Sequence, residues 1–354
     1  MLSAIVRTPG ASRRRIADEL GIVPATVGSH VKKLVEHGLV RELAPDSRGS
    51  GRPSIPLEAD LRRGYLVGVA LERERAAIAA VALDGSIIGS RAVPYRHGEE
   101  DIRPIVDGIS ALREQLAPLP ALALGMTVSG ATDQASGEVL ISTVLGWAKR
   151  NIGAEIAAAT SLDVFVENDA IALASHELAF ATTVPDSFLL LHLDDGIGMS
   201  IVIERSILRG VRRDSTEFGH TSIQPDGSRC GCGGRGCIQT IFGRRELDER
   251  CPGGLAALDA DPSDAALAFL DTRAALLGRA VGATATLLGI DSVRITGRTT
   301  AHWPLFERAF RNALAEATPT LGSDLDIRMI MWTELTMAAG GAGLALSAYL
   351  ETLR

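Results

Sequence analysis

Lysine, aromatic side chains and long apolar runs are what this 354-residue chain has least of. Lysine occurs only at Lys32, Lys33 and Lys149, and aromatic residues make up 4%. With arginine and alanine abundant, the lysine shortage reads as the bias of a GC-rich coding sequence rather than as a functional signature. No apolar stretch reaches the roughly 18 residues that a membrane-spanning helix needs, which excludes a helical membrane protein. The start of the chain lacks the order of basic region, apolar stretch and small-residue cleavage site that marks a secretory signal, so a cytoplasmic protein is expected. Charged residues at 22% and hydrophobic residues at 46% exclude disordered, collagen-like and coiled-coil classes. At about 100–200 residues per domain, the length accommodates two or three domains.

The formal net charge of −7 argues against a nucleic-acid partner only as an average. Residues 1–53 hold nine basic and five acidic side chains, a surplus of +4, while the remaining 301 hold 27 and 38, a deficit of 11. A basic head on an acidic body is the asymmetry that marks a nucleic-acid-binding segment.

Within the head, Leu2, Ile5 and Val6 recur at helical spacing before Pro9-Gly10, which predicts a short first helix. Ser12 can cap a second helix with Arg13, Arg14 and Arg15 outside and Ile16, Ala17 and Leu20 inside, and Gly21 stops it. After the turn Gly21-Ile22-Val23, Pro24 suits the first position of a third helix. Val27, Val31, Leu34 and Val35 give that helix one apolar stripe, ending near Gly38. Two helices joined by a tight glycine turn form a helix-turn-helix. The opposite face presents Thr26, Ser29, His30 and Lys33, which can hydrogen-bond base edges or phosphates in a major groove. Residues 39–42 read as a strand and 46–53 as a basic wing whose Arg48 and Arg52 can enter the minor groove. The plainer alternative is a small helical domain with ordinarily solvated arginines. Val23 is a departure, since Ser or Thr would cap the third helix better.

Past residue 53 the pattern becomes that of an α/β body. Strands are expected at 65–71, 76–83 and 86–94, a helix at 102–117 and a buried strand at 121–128. A second strand pair, 188–193 and 199–203, flanks the turn Asp194-Asp195-Gly196-Ile197-Gly198. Two such clusters about 120 residues apart, interleaved with alanine-rich helices, predict two related lobes with a cleft between. The expected division is a winged helix-turn-helix at 1–53, a linker at 54–62 and the body at 63–354.

Two constellations in the body carry chemistry. His220 and Cys230-Gly-Cys232-Gly-Gly-Arg-Gly-Cys237 supply a Cys3His set for tetrahedral zinc, structural because all four positions would be filled by protein. Disulfides are the alternative, but three clustered cysteines leave one over and a cytosolic chain is reducing. Cys251 lies outside the spacing and reads as a plain or surface thiol. The second constellation, Glu167-Asn168-Asp169-Ala170, ends a strand and opens a helix. A carboxylate and an amide there suit sugar hydroxyls or general-base work, and an N-capping Asn-Asp is the alternative. Glu217 adds a carboxylate in the segment that feeds the cysteine loop.

Together these motifs resemble the ROK family (repressor, open reading frame, kinase), and specifically its transcriptional regulators, over nearly the whole chain. The resemblance rests on the winged head, residues 125–133, Glu167-Asn168-Asp169-Ala170, Glu217-x-Gly-His220 and Cys230-x-Cys232-x4-Cys237-x-Gln239. It implies a body of two actin-like, sugar-kinase-like lobes and sugar contacts at Asn168, Asp169, Glu217, His220 and Gln239, with zinc at 220–237 holding the loop. In kinase members the residue matching Asp169 is the catalytic base. The departures favour a regulator without kinase activity. The kinase loop Asp-x-Gly-Gly-Thr is here Ala70-Leu71-Glu72-Arg73-Glu74, and Gly-Thr-Gly-x-Gly is Asp194-Asp195-Gly196-Ile197-Gly198. A third nucleotide stretch has become Ile295-Thr296-Gly297-Arg298-Thr299-Thr300. Carboxylates facing a triphosphate oppose it unless a cation compensates. On the sugar side, Gln239 replaces a glutamate, Ser129-Gly130 a Pro-Gly turn and Thr143 an asparagine. The expectation is a repressor reading a pseudo-palindromic operator in double-stranded DNA as a homodimer or homotetramer and sensing a sugar or sugar derivative. The alternatives are an ATP-dependent sugar kinase with a DNA-binding head and a ligand-independent ROK regulator.

Overall fold

Caps and glycines set the helices of the head. The computed structural model describes residues 1–45, 54–96, 98–133, 135–142, 144–210, 217–321 and 325–353. Helix α1 spans Leu2–Arg7, and strand β1 is the short pair Ala11–Ser12. Helix α2 (Arg13–Leu20) begins where the Ser12 hydroxyl accepts from the Arg15 amide at 3.4 Å and ends at Gly21, held at φ +63°. Helix α3 (Pro24–Glu36) opens on Pro24, and Val23 gives it no side-chain cap. Val27 and Val31 are fully buried, but Val35 is 36% exposed, so the apolar stripe is narrower than its spacing suggests.

Strands β2 (Val40–Glu42) and β3 (Pro56–Ala59) complete a three-stranded antiparallel sheet in the order β1-β3-β2. Residues 56–59 were expected within a linker and are instead the central strand of the head. The reason is pairing on both edges, Ala11 with Leu57 and Val40 with Ala59, together with complete burial of Leu57. A one-turn helix, Leu61–Arg63, then leads into the body. Arg63 Nε donates to the His37 carbonyl at 2.9 Å, and the Asp60 amide donates to Leu39 at 3.0 Å, which ties this connector to the end of α3.

The chain continues as β4 (Tyr65–Leu71), β5 (Arg75–Ala82), β6 (Ile87–Pro94), α4 (Arg103–Gln115), β7 (Ala121–Val128), β8 (Ala131–Asp133), β9 (Glu138–Ser142), β10 (Trp147–Arg150), α5 (Ile152–Thr160), β11 (Val164–Asn168) and α6 (Asp169–Phe180). Next come β12 (Phe188–Leu193), β13 (Ile197–Ile203), β14 (Ser206–Ile207), α7 (Ile238–Phe242), α8 (Arg244–Arg250), α9 (Gly254–Ala260), α10 (Asp264–Leu288), β15 (Ser292–Thr296), α11 (Trp303–Ala317), β16 (Asp326–Met329) and α12 (Thr336–Thr352). These residues separate into two compact units, Met1–Val184 with Glu334–Arg354, and Pro185–Thr333. Among the described residues no helix is long and apolar enough to cross a membrane.

In the first unit the main sheet has the order β11-β7-β4-β5-β6, with β4, β5 and β6 antiparallel and β4, β7 and β11 parallel. Helix α12 lies on β4 and β7 at backbone range. A Cβ on Gly68 would meet the Ala338 carbonyl oxygen at 1.7 Å, and one on Gly125 would meet that of Gly341 at 1.9 Å. Helix α6 packs on α12, and the head's α1 packs on α6.

The second unit repeats the scheme in the order β14-β13-β12-β15-β16, with β12 antiparallel to β13 and parallel to β15. Its core is filled by large side chains. Leu189, Leu191, Phe242, Phe306 and Phe310 are fully buried, and Trp303 stands edge-on to Phe306 and Phe310 with ring centroids 5.1 and 5.4 Å apart. The parallel neighbours β12 and β15 send their following loops, 194–198 and 297–300, off the same edge of this sheet, the place where open α/β sheets receive ligands.

Candidate functional site

On α3 the four predicted DNA contacts Thr26, Ser29, His30 and Lys33 are all exposed, opposite buried Val27 and Val31. The helical period carries them along one face. Lys32 pairs instead with Glu36, one turn on, at 3.7 Å, and Arg13 is engaged by Glu42. Arg14 and Arg15 are exposed beside them on α2. Arg48 and Arg52 of the predicted wing lie outside the described residues. One surface feature was not anticipated: Val23, at the uncapped start of α3, is 65% exposed, and its neighbour Ile22 is exposed as well. Its signal in the sequence was the poor capping residue.

In the first unit, Asn168 closes β11 and Asp169 opens α6. Asn168 Oδ1 accepts from the Ala170 amide at 2.9 Å, so it does cap the helix, while Nδ2 donates to the Gly130 carbonyl at 2.9 Å. The amide keeps a second N–H and a second lone pair for a ligand. Asp169 Oδ1 also accepts from the Ala170 amide, at 2.8 Å. Beneath them Glu167 is fully buried and accepts from Thr132 Oγ1 and from the Asn168 amide, both at 2.9 Å, a supporting role that its place in the sequence motif did not assign. Gly130 sits at φ +140°, and a Cβ there would meet the Ile141 oxygen at 2.3 Å, so this turn accepts no side chain.

In the second unit, Glu217 precedes the turn Phe218–His220, and Gln239 is the second residue of α7, the helix that Cys237 precedes. The donor atoms of His220, Cys230, Cys232 and Cys237 all lie within 4.8 Å of one another. His220 Nδ1 is 3.4 Å from Cys230 Sγ, and Cys232 and Cys237 Sγ are 3.7 Å apart. A tetrahedral ion with metal–sulfur bonds of about 2.3 Å and metal–nitrogen bonds of about 2.0 Å needs donor separations of roughly 3.5–3.8 Å. The group therefore fits a metal ion. His220 turns its other nitrogen, Nε2, toward Glu217, at 3.8 Å, beyond direct hydrogen-bond range. Burial, then neighbouring thiol groups, push the Cys237 thiol up to about 12, and burial also raises Cys230. Cys232 is lowered, chiefly by the Gly234 amide. Gly236, at φ +60° with the Gln224 oxygen 1.5 Å from where a Cβ would stand, closes the loop. Cys251 is buried and outside the cluster, so of its two expected readings it is the plain core thiol rather than the surface one.

The acidic loops after β4 and β12 are contacted by arginines of their own units. Arg75 Nε reaches Glu72 at 3.0 Å, and its Nη1 reaches Glu334 at 3.0 Å. Arg298 Nε donates to both oxygens of Asp194, at 2.9 and 3.0 Å, and Nη2 donates to Asp195 at 3.2 Å. Burial alone would push the Asp194 carboxyl up, but hydrogen bonds from Arg298, with charge from His192 and Arg298, hold it below its ordinary value. Part of the negative charge at these loops is therefore paired within the chain, although Glu74 is exposed. In each unit one arginine bridges two carboxylates and offsets part of their charge.

Comparison with known proteins places these features. The ROK family model matches residues 66–323, and a winged helix-turn-helix DNA-binding model matches residues 1–41. The xylose repressor of Bacillus subtilis (strain 168) is 27% identical over 255 residues, 70% of this chain and 65% of its own length. The DNA-binding transcriptional dual regulator NagC of Escherichia coli (strain K12) is 25% identical over 247 residues, 68% and 60% of the two chains. The chain thus spans just under two thirds of the length of these curated relatives. Among solved structures, a ROK family transcriptional regulator described as a homologue of the E. coli MLC protein shares the fold with a TM-score of 0.79 at 21% identity, covering 99% of this chain and 96% of that one. The ROK hexokinase from Thermus thermophilus gives 0.66 at 26% identity, covering 81% and 99%. With a matching model across most of its length, this chain belongs to the ROK family and carries a winged helix-turn-helix head before its ROK body.

Proposed function

We propose that the chain is a transcriptional repressor that binds double-stranded DNA through its head and responds to a sugar or sugar derivative through its body, without phosphorylating it. The observation that carries this reading is the union of two parts in one chain. An α3 with Thr26, Ser29, His30 and Lys33 exposed along one face is joined to a ROK body. Repressors named for xylose and N-acetylglucosamine among its relatives support the sugar class. Arg48 and Arg52 are assigned to the minor groove. Asn168 and Asp169 in the first unit and Glu217, His220 and Gln239 in the second are assigned to sugar hydroxyls. His220, Cys230, Cys232 and Cys237 are assigned to a structural zinc ion, whose four protein donors leave no open position for catalysis. A cytoplasmic homodimer or homotetramer on a pseudo-palindromic operator follows the symmetry logic of helix-turn-helix proteins.

The likeness of the body to sugar kinases favours one other reading, a sugar kinase with a DNA-binding head. Both readings are tested by titrating the protein with D-xylose, D-glucose and N-acetylglucosamine while following DNA binding and ADP release. A sugar-dependent change in DNA affinity without ADP release is expected, and robust sugar-dependent ADP release would overturn the proposal. Lys33→Ala should weaken binding on all DNA sequences and lower the salt slope by about one. An unchanged slope removes Lys33 from the phosphate contacts. Cys232→Ser should lose the metal, and a zinc content still near one per chain would contradict the ligand set.

A further inference from the structure

We infer that Arg298 is a positioning residue for the sugar contacts of the second unit. Its guanidinium locks the 194–198 turn, and the segments carrying Glu217, His220 and Gln239 rest on that turn. The inference builds on the proposed sugar reading but is tested separately from it.

Arg298 is delivered to the turn by its neighbour. Gly297 stands at φ +118° with its Cα flush against the end of β12, where a Cβ would lie 2.2 Å from the Leu193 oxygen. The Arg298 backbone amide is thereby 3.4 Å from Asp194 Oδ2, while its side chain grips both Asp194 oxygens and reaches Asp195. Asp194 is nearly buried. Within the turn the Asp195 amide donates to Asp194 Oδ1 at 2.7 Å, and the Asp194 amide donates to Gly196 at 3.1 Å. His192, stacked on Trp332 with centroids 5.6 Å apart, stands 3.8 Å from the same carboxylate.

The far side of the turn is a backbone platform. Gly219, between Glu217 and His220, presses on Ile197, whose oxygen would be 2.1 Å from a Cβ at that position. The Arg244 amide donates to the Asp194 carbonyl at 2.8 Å. Gly243, which ends α7 by donating to the Gln239 carbonyl at 2.9 Å, sits against the Asp195 carbonyl. Glu217, His220 and Gln239 are therefore each within four residues of a backbone contact with the turn that Arg298 holds. In open α/β sheets this edge receives a ligand. Here the chain's own guanidinium occupies that edge and holds the two carboxylates of the turn. Removal of Arg298 leaves two adjacent carboxylates, one nearly buried, with their main counter-charge gone, and like-charge repulsion with the desolvation penalty then favours an opened turn.

The test is amide hydrogen exchange on the full-length protein with Arg298→Ala and Arg298→Lys, alongside D-xylose, D-glucose and N-acetylglucosamine titrations. In Arg298→Ala, protection at 217–220 and 237–244 should fall about 10-fold, and the affinity for whichever of the three sugars binds the wild type should fall by a similar factor. Protection in the head, at 2–42, and DNA affinity without sugar should stay unchanged. Millimolar methylguanidinium should restore protection and affinity in the alanine variant. Lysine should rescue only in part, because it keeps the charge but not the two-pronged donor. If Arg298→Ala does not fold, the lysine variant must still show the local loss. Unchanged protection in the two segments, or a uniform loss across the unit that methylguanidinium does not relieve, overturns the inference. If the wild type binds none of the three sugars, the exchange result alone decides this inference, and the sugar assignment fails by itself.

Discussion

Strands β4, β5, β6, β7 and β11 of the first unit correspond in order and direction to β12, β13, β14, β15 and β16 of the second. The two sheets are nevertheless covered by different means. In the first unit Gly68 and Gly125 let α12 settle on the sheet backbone to backbone, beside a side-chain core that includes Tyr65, Ile109 and Trp147, whereas leucine, phenylalanine and tryptophan fill the second unit's core. Their ion pairs differ in the same sense. Arg75 joins Glu72 to the outlying Glu334, whose side chain is 81% exposed, while Arg298 grips an Asp194 side chain that is 9% exposed. The comparison shows one topology tolerating two packing solutions. Loss of the arginine is expected to cost more where its carboxylate has lost water.

The largest expected effect comes from exchanging the packing solutions. Gly125→Val places atoms inside the Gly341 carbonyl and should cost more than about 3 kcal/mol, enough to leave little soluble folded protein. Leu191→Ala in the second unit leaves a cavity instead and should cost about 2–5 kcal/mol with the fold retained. Thermal denaturation of both variants tests this, and a well-folded Gly125→Val would break the contrast.

A smaller effect separates the ion pairs. Arg298→Ala should cost about 2 kcal/mol because it strands a nearly buried carboxylate, and Arg75→Ala below about 1 kcal/mol because water screens its partners. The pH dependence carries the same distinction. The folded Asp194 carboxyl lies below its ordinary value of 3.8, so its stabilising contribution is complete above that value and is lost as pH falls through the folded one. Without Arg298, burial alone would raise this carboxyl, and the gain in stability from pH 3 to about 5 should shrink or reverse. Equal acid profiles for wild type and Arg298→Ala would remove the buried pair from the account.

Much of this architecture was legible along the chain because it depends on local chemistry. Ser12, Gly21 and Pro24 act within one turn of their own position, and the first body strand, predicted at 65–71, is β4. The cysteine loop was readable because its four donors fall within 18 residues, so few conformations separate the sequence pattern from the cluster. What escaped involves distant partners. Leu57 looked like linker until β1 and β2 paired on either side of it. Glu167 gave no sign of the Thr132 hydroxyl it holds 35 residues away. Asn168 stood between two roles, and the Ala170 and Gly130 contacts show that capping is one it does perform.

The sequence by itself determined the basic head, the positions of its helices, the α/β alternation of the body and the Cys3His set that could hold a metal ion, since charge, caps and periodicity are properties of neighbouring residues. Only the tertiary structure decided what the body's acidic residues do. Asp194 and Arg298 are 104 residues apart in the chain and share one ion pair, because parallel pairing of β12 with β15 brings the two loops together. Desolvation, which sets the strength of that pair, exists only once the sheet and the helices around it have closed.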